Sequence, residues 1–128
     1  MSEPLFRTDI QVRFADTDAL GHLNNTSFAL YVEGARIEFL KHMGATTATL
    51  ILAHLAIDFR RQVKFGERVF VLTSVEKVGN TSVRLKQDVY ADDLLAAEAV
   101  SVVVLFDYAS NRPQKIPAAL RSKLEAHT

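Results

Sequence analysis

The chain of 128 residues contains no cysteine. That absence excludes disulfides, thiolate metal ligands and a cysteine nucleophile. An excess of one charge is missing as well, because 15 lysines and arginines balance 15 aspartates and glutamates. A neutral chain has no electrostatic footprint for nucleic acid or an anionic membrane, although a local basic cluster can still hold one phosphate-bearing ligand. Long apolar runs are also lacking. The run from Val100 to Phe106, interrupted by Ser101, is far shorter than the roughly 20 residues of a spanning helix. The opening MSEPLFRTDI has neither the basic nor the apolar region of a secretory signal. No repeat, linker or low-complexity segment interrupts the chain. These absences predict one soluble, cytoplasmic domain over residues 1–128. A chain of this length buries roughly two-thirds of its unfolded surface, so it can build a core without covalent staples. The hydrophobic fraction of 48% and the charged fraction of 23% are those of a globular protein.

Asp9 to Phe14 alternates Ile10, Val12 and Phe14 with polar residues, which predicts a half-buried strand. A polar turn follows from Ala15 to Asn24, with Asp16, Asp18, Gly21 and Asn24 as turn formers. A helix is expected from Asn24 or Asn25, either of which can cap it. Phe28, Val32, Ala35, Phe39 and Met43 define one face, widened by Tyr31 and Leu40. Glu33, Arg36, Glu38 and Lys41 lie mostly off that stripe, and Gly44 is a natural stop.

Thr46 to Thr49 is expected to be a loop. Leu50 to Val63 alternates, with Ile51, Ala53, Leu55, Ile57, Phe59 and Val63 on one side. Further strands are predicted over Arg68 to Val78, Thr81 to Ala91 and Leu94 to Tyr108, joined by turns at Gly79-Asn80 and Asp92-Asp93. Pro117 to Ala126 suits a short closing helix. The order β-α-β-β-β-β predicts an α+β domain in which a five-stranded antiparallel sheet covers one long helix.

Two segments carry a more specific resemblance. VRFADTDALGHLNNTSFALYVEGARIEFL, residues Val12 to Leu40, and IDFRRQVKFGE, residues Ile57 to Glu67, resemble the hotdog-fold acyl-CoA thioesterases of the 4-hydroxybenzoyl-CoA thioesterase-like group. The matching positions are Asp16, Asp18, Gly21, His22, Asn24, Asn25, Phe28 and Ala35 to Leu40. The order of elements fits along nearly the whole chain. Three positions depart from the family pattern. Gln62 stands where proline is common, Glu67 where aspartate is common, and Phe28 where tyrosine is frequent.

The resemblance implies a sheet curled around the helix, a homodimer or dimer of dimers, and sites at the dimer interface. It implies an acyl-CoA or acyl-carrier-protein thioester as substrate and no cofactor. It maps the catalytic carboxylate onto Asp18 and the carbonyl-polarising backbone N–H onto Asn25. It places Arg60, Arg61 and Lys64 near the nucleotide end of coenzyme A. The nearest alternative is a hotdog module that binds an acyl thioester without hydrolysing it; a hotdog hydratase would use an Asp/His pair on a motif absent here.

The residue chemistry agrees with that assignment. Thioester hydrolysis needs a carboxylate that attacks or activates water, and donors for the oxyanion. Asp18 lies seven residues before Asn25, so one turn can bring it beside the free N–H groups of a helix start. The plainer role for Asp18 is a turn cap. Asp16 reads as a turn stabiliser, and His22 as a hydrogen-bonding support beside the substrate, with a general base as its alternative role. Asn24 and Asn25 read first as caps. Glu33 can pair with Arg36 one turn on, or approach a partner subunit's site. His54 and Asp58 share a strand face, but no third residue at ligand spacing joins them, so no metal site is expected. Arg60, Arg61 and Lys64 read either as phosphate contacts or as a solvated strand end.

Overall fold

A computed structural model describes residues 5–45 and 49–128 of the chain. It contains β1 (Phe6–Ile10), α1 (Asn25–His42), β2 (Leu50–Phe59), β3 (Val69–Val78), β4 (Ser82–Ala91), β5 (Leu94–Asp107), β6 (Arg112–Pro113) and α2 (Ala118–Glu125). The sheet runs β1-β3-β4-β5-β2, with the two-residue β6 added on β5. Its pairings are antiparallel throughout. The expected α+β architecture is therefore present, with one more short strand than the sequence suggests. No helix is long and apolar enough to cross a membrane among the described residues.

The face of α1 expected to be buried is buried: Phe28, Val32, Ala35, Phe39 and Met43 are at most 5% exposed. Its first half packs with Val71, Val89, Ala97 and Ala99. Its second half packs with Val75, Leu85, Val103 and Leu105, and Leu124 of α2 closes that end. Burying a side chain such as Phe28 contributes on the order of 2–3 kcal/mol. A polar layer crosses the core beneath the helix. The Gln87 side-chain amide donates to the Val32 carbonyl at 3.0 Å and to Thr73 Oγ1 at 3.2 Å, and Ser101 Oγ donates to Gln87 Oε1 at 3.4 Å. These groups satisfy one another, as buried polar groups must.

The differences from expectation have local causes. The first strand is not Asp9 to Phe14 but ends at Ile10, because Phe14–Asp16 forms a 3₁₀ turn. That turn throws Phe14 into solvent, 74% exposed, while Val12 still reaches the core. The second strand ends at Phe59, short of Val63, where the N–H groups of Arg60 and Arg61 both donate to Ala96 O. Within β2, the register against β5 slips between Leu52 and His54. This bulge reverses the alternation. Leu55, Ile57 and Phe59 oppose inward residues of β5 as expected, but Leu50 and Leu52, not Ile51 and Ala53, oppose inward Leu105 and Val103. Arg36, which the spacing puts mostly off the buried stripe, is only 5% exposed. It makes no ion pair with Glu33 among the described residues. The loop expected from Thr46 lies outside the described residues up to Thr49.

Candidate active site

The turn between β1 and α1 is built on Asp16. Its carboxylate accepts the Arg13 N–H at 3.0 Å, the Arg13 guanidinium at 2.8 Å and the Tyr31 hydroxyl at 2.6 Å. Its backbone carbonyl accepts the Asn24 N–H at 2.9 Å and Ser27 Oγ at 2.8 Å. Asp16 is 3% exposed. The hydrogen bond from Arg13, seconded by that from Tyr31, holds its carboxyl at about 2, well below the ordinary range. Burial, and then the Asp16 hydrogen bond, push the Tyr31 hydroxyl upward.

Two residues on, Asp18 closes the tip of the turn. Asp18 N–H donates to His22 O at 2.7 Å and Gly21 N–H donates to Asp18 O at 3.1 Å. Gly21 adopts φ +78, which favours glycine. Asp18 Oδ1 accepts the N–H groups of Leu20 at 2.8 Å and His22 at 3.1 Å. Oδ2 has no hydrogen-bond partner among the described residues. The bond from Leu20, followed by that from His22, lowers the Asp18 pKa. The carboxylate is thus oriented through one oxygen and ionised at neutral pH.

Helix α1 starts directly after this turn. Asn24 occupies the N-cap, but its side chain makes no capping bond. The structure does not bear out the expected side-chain capping by Asn24; it ties that residue by its backbone, N–H to Asp16 O and carbonyl to the N–H of Ser27 at 2.9 Å. The N–H groups of Asn25 and Thr26 have no acceptor among the described residues. Such free donors carry the partial positive charge of the helix start.

A cleft of about 400 Å³ lies between this helix start and the end of β2. Asp18, His22, Asn24 and Asn25 line one side, and Phe59, Arg60 and Arg61 the other. The structure thus brings six of the eight site residues of the sequence reading to one cleft. Lys64 lies just outside, bridged through its backbone to His22. Glu33 lines a different cleft, further along α1. Among the described residues no three His, Asp or Glu side chains gather as a metal-holding group.

The basic residues differ in availability. Arg61 is committed: its guanidinium contacts both Glu67 oxygens, at 3.0 to 3.4 Å, and the carbonyls of Gln62 and Ala91. Glu67 Oε2 also accepts the Lys64 N–H at 2.8 Å. The acid where the family commonly has aspartate is therefore the clamp that shapes the 60–67 segment. Arg60 reaches Glu98 only at 3.5 Å and is half exposed. Phe14, which the alternation put on the buried face of a strand, and Phe65, which the sequence reading left aside, form an exposed edge-on pair beside the turn, centroids 5.7 Å apart. Their only signal is an apolar residue next to a turn.

A long helix laid on an antiparallel sheet, with Asp18 and the start of the helix lining one cleft, defines a hotdog-type α+β domain. A family model described as "Thioesterase-like superfamily" matches residues 12–124, and the chain belongs to that superfamily, whose enzyme class is thioesterase. The chain is 24% identical over 128 residues to the acyl-CoA thioester hydrolase YbgC of Escherichia coli O6:H1, covering 94% of this chain and 96% of the relative. It is similar to the structure of a predicted thioesterase from Bacillus stearothermophilus, with TM-score 0.90 and 30% identity over 97% of this chain and 96% of that one. A thioesterase from Thermus thermophilus, complexed with coenzyme A and Zn, gives TM-score 0.88 and 31% identity over 97% and 93%.

Proposed function

We propose that the chain hydrolyses the thioester of an acyl-CoA or acyl-carrier-protein, with Asp18 as the reacting carboxylate. One observation carries this reading: Asp18 and Asn25 line the same cleft, and among the described residues the Oδ2 of the one and the backbone N–H of the other have no partner. The N–H of Asn25 polarises the carbonyl and stabilises the oxyanion that forms. Asp18 attacks the carbonyl carbon as nucleophile or removes a proton from the water that does. The C–S bond then breaks and the thiolate leaves, taking up a proton. On the water route the free acid is released at once; on the nucleophilic route water hydrolyses the Asp18 acyl anhydride, releasing the acid and restoring the carboxylate. His22 and Asn24 border the bound thioester. Lys64 and Arg60, the latter held only by a long, half-exposed ion pair to Glu98, are the cations available to the phosphates of the carrier, since Glu67 holds Arg61. The name of the YbgC relative and the coenzyme A in the Thermus structure support the substrate class.

We further infer that the protein works as a homodimer through β2. This strand is ten residues long, LILAHLAIDF, and its outer edge is unpaired among the described residues. Leu52, Leu55 and Phe59 are at least 36% exposed on it. A long, free, apolar edge is a template for pairing, and an identical edge in antiparallel orientation satisfies it by two-fold symmetry. A thiol-release screen over short, medium, long and aromatic acyl-CoAs tests the activity. Turnover of at least one class is expected. Saturable binding without product would leave a binding module instead. Trapping of an acyl-enzyme anhydride would identify Asp18 as nucleophile.

A further inference from the structure

Gln62 stands where the family commonly has proline, and it lines the Asp18 cleft. Proline would bring neither a backbone N–H nor a polar side chain to this wall. Gln62 brings both. Among the described residues its N–H has no acceptor and its carboxamide no partner; its carbonyl alone is engaged, by the Arg61 guanidinium at 2.8 Å. No hydrogen bond among them uses what distinguishes this glutamine from proline.

The neighbouring residues fix where the carboxamide stands. Leu23 N–H donates to Val63 O at 2.6 Å, Phe65 N–H donates to Gly21 O at 3.2 Å, and His22 bridges to Lys64. Residues 62–64 thus run antiparallel to 22–24, and Gln62 comes opposite Asn24. Val63 is fully buried, and Gln62 and Lys64 on either side of it are exposed. Asn24 also lines the cleft, and its side chain makes no capping bond. Two uncommitted carboxamides therefore face each other beside the Asp18 turn.

Arg60 and Lys64, the cations available to the carrier's phosphates, lie two residues to either side of Gln62. A ligand with its thioester at Asp18 and Asn25 and its phosphates at these cations lays its connecting arm between the two carboxamides. In coenzyme A and in acyl carrier proteins that arm is the same phosphopantetheine, with two secondary amides between sulfur and phosphate. A trans amide points its N–H and its C=O in opposite directions. An acceptor on one wall and a donor on the other satisfy it, and a carboxamide can serve as either.

We propose that Gln62 is a binding residue for the thiol arm of the substrate. Its Oε1 accepts the N–H of the arm's amide nearest the sulfur, and the Asn24 amide donates to the C=O of the same group. This rests on the thioesterase reading for its ligand, and the test separates the two. The probes are the non-hydrolysable thioether S-hexyl-CoA and its analogue in which that amide N–H is replaced by an ester oxygen. Both are titrated by calorimetry into the wild type, Gln62→Ala, Gln62→Pro and Gln62→Glu. The wild type is expected to bind the amide form about three- to tenfold tighter, as one neutral hydrogen bond implies. Gln62→Ala and Gln62→Pro lose that preference, and Gln62→Glu, which keeps an acceptor, retains it. Equal wild-type affinities overturn the proposal. So does a Gln62→Ala variant that weakens both ligands by the same factor, because a merely structural role is additive with the change in the ligand. An acyl carrier protein bearing S-hexyl-phosphopantetheine should lose the same factor in Gln62→Ala as S-hexyl-CoA does. A loss confined to one carrier would put Gln62 against the carrier and overturn its assignment to the arm. Thiol release from the acyl-CoA panel is measured alongside. An amide preference that depends on Gln62, with no thiol release from any acyl-CoA, would sink the thioesterase reading and leave the arm site standing. Turnover without that preference would do the reverse.

Discussion

Asp16 and Asp18 stand two residues apart in one turn and do opposite things. Asp16 is buried, and both its oxygens are taken by Arg13 and Tyr31. Asp18 is anchored through Oδ1 alone and lines the cleft. Both carboxyls are held below the ordinary range, for different reasons. A side-chain hydrogen bond from an arginine leads at Asp16, and a backbone N–H leads at Asp18. A depressed pKa therefore does not by itself distinguish the chemical carboxylate from the structural one. What supports Asp18 as the proposed reacting carboxylate is that it lines the cleft and that its Oδ2 has no hydrogen-bond partner among the described residues.

The strongest way to break this comparison is Asp18→Asn. It should lower kcat/KM by about 10²- to 10⁴-fold in a thiol-release assay, while the thermal unfolding midpoint stays close to wild type. A large loss of stability would make Asp18 a second scaffold residue. Asn25→Pro comes next. Proline is tolerated in the first helical position, so the helix survives while the proposed oxyanion donor is lost. Activity should fall by about 10²- to 10³-fold. Asn25→Ala, which keeps the N–H, should stay near wild type in the same assay.

Asp16→Ala inverts the pattern. It strands the Tyr31 hydroxyl and should cost on the order of 3 kcal/mol in urea denaturation. Titration sharpens the contrast further. The folded pKa of Asp16, about 2, lies below the unfolded value. Its contribution to stability is thus complete above roughly pH 4 and is lost as pH falls towards 2. Acid unfolding monitored by circular dichroism should show this loss, and Asp16→Asn should remove it. The smallest effect is expected from Tyr31→Phe, about 1 kcal/mol of stability, with Asp16 still held by Arg13.

Much of the fold was legible because periodicity is local. The stripe from Phe28 to Met43 and the Gly79-Asn80 turn follow from spacing and turn chemistry. The bulge in β2 was not, because a one-residue slip leaves no mark in an apolar run such as LILAHLAIDF. Leu50 and Leu52 declare their side only against Val103 and Leu105. The 60–67 segment hid its logic in the same way. Arg60, Arg61 and Lys64 look alike in sequence, yet Glu67 and the Ala91 carbonyl engage the guanidinium of Arg61 and not the other two side chains.

The sequence by itself determined the element order, the core face of α1 and the turn that carries Asp16 and Asp18. Those depend on side-chain type and spacing along a few consecutive residues. Only the tertiary structure decided which aspartate is buried, that the start of α1 faces the end of β2, and that Arg36 lies in the interior rather than off the buried stripe. Each of these depends on residues distant in the chain sharing one volume, where burial and hydrogen-bond satisfaction are decided jointly.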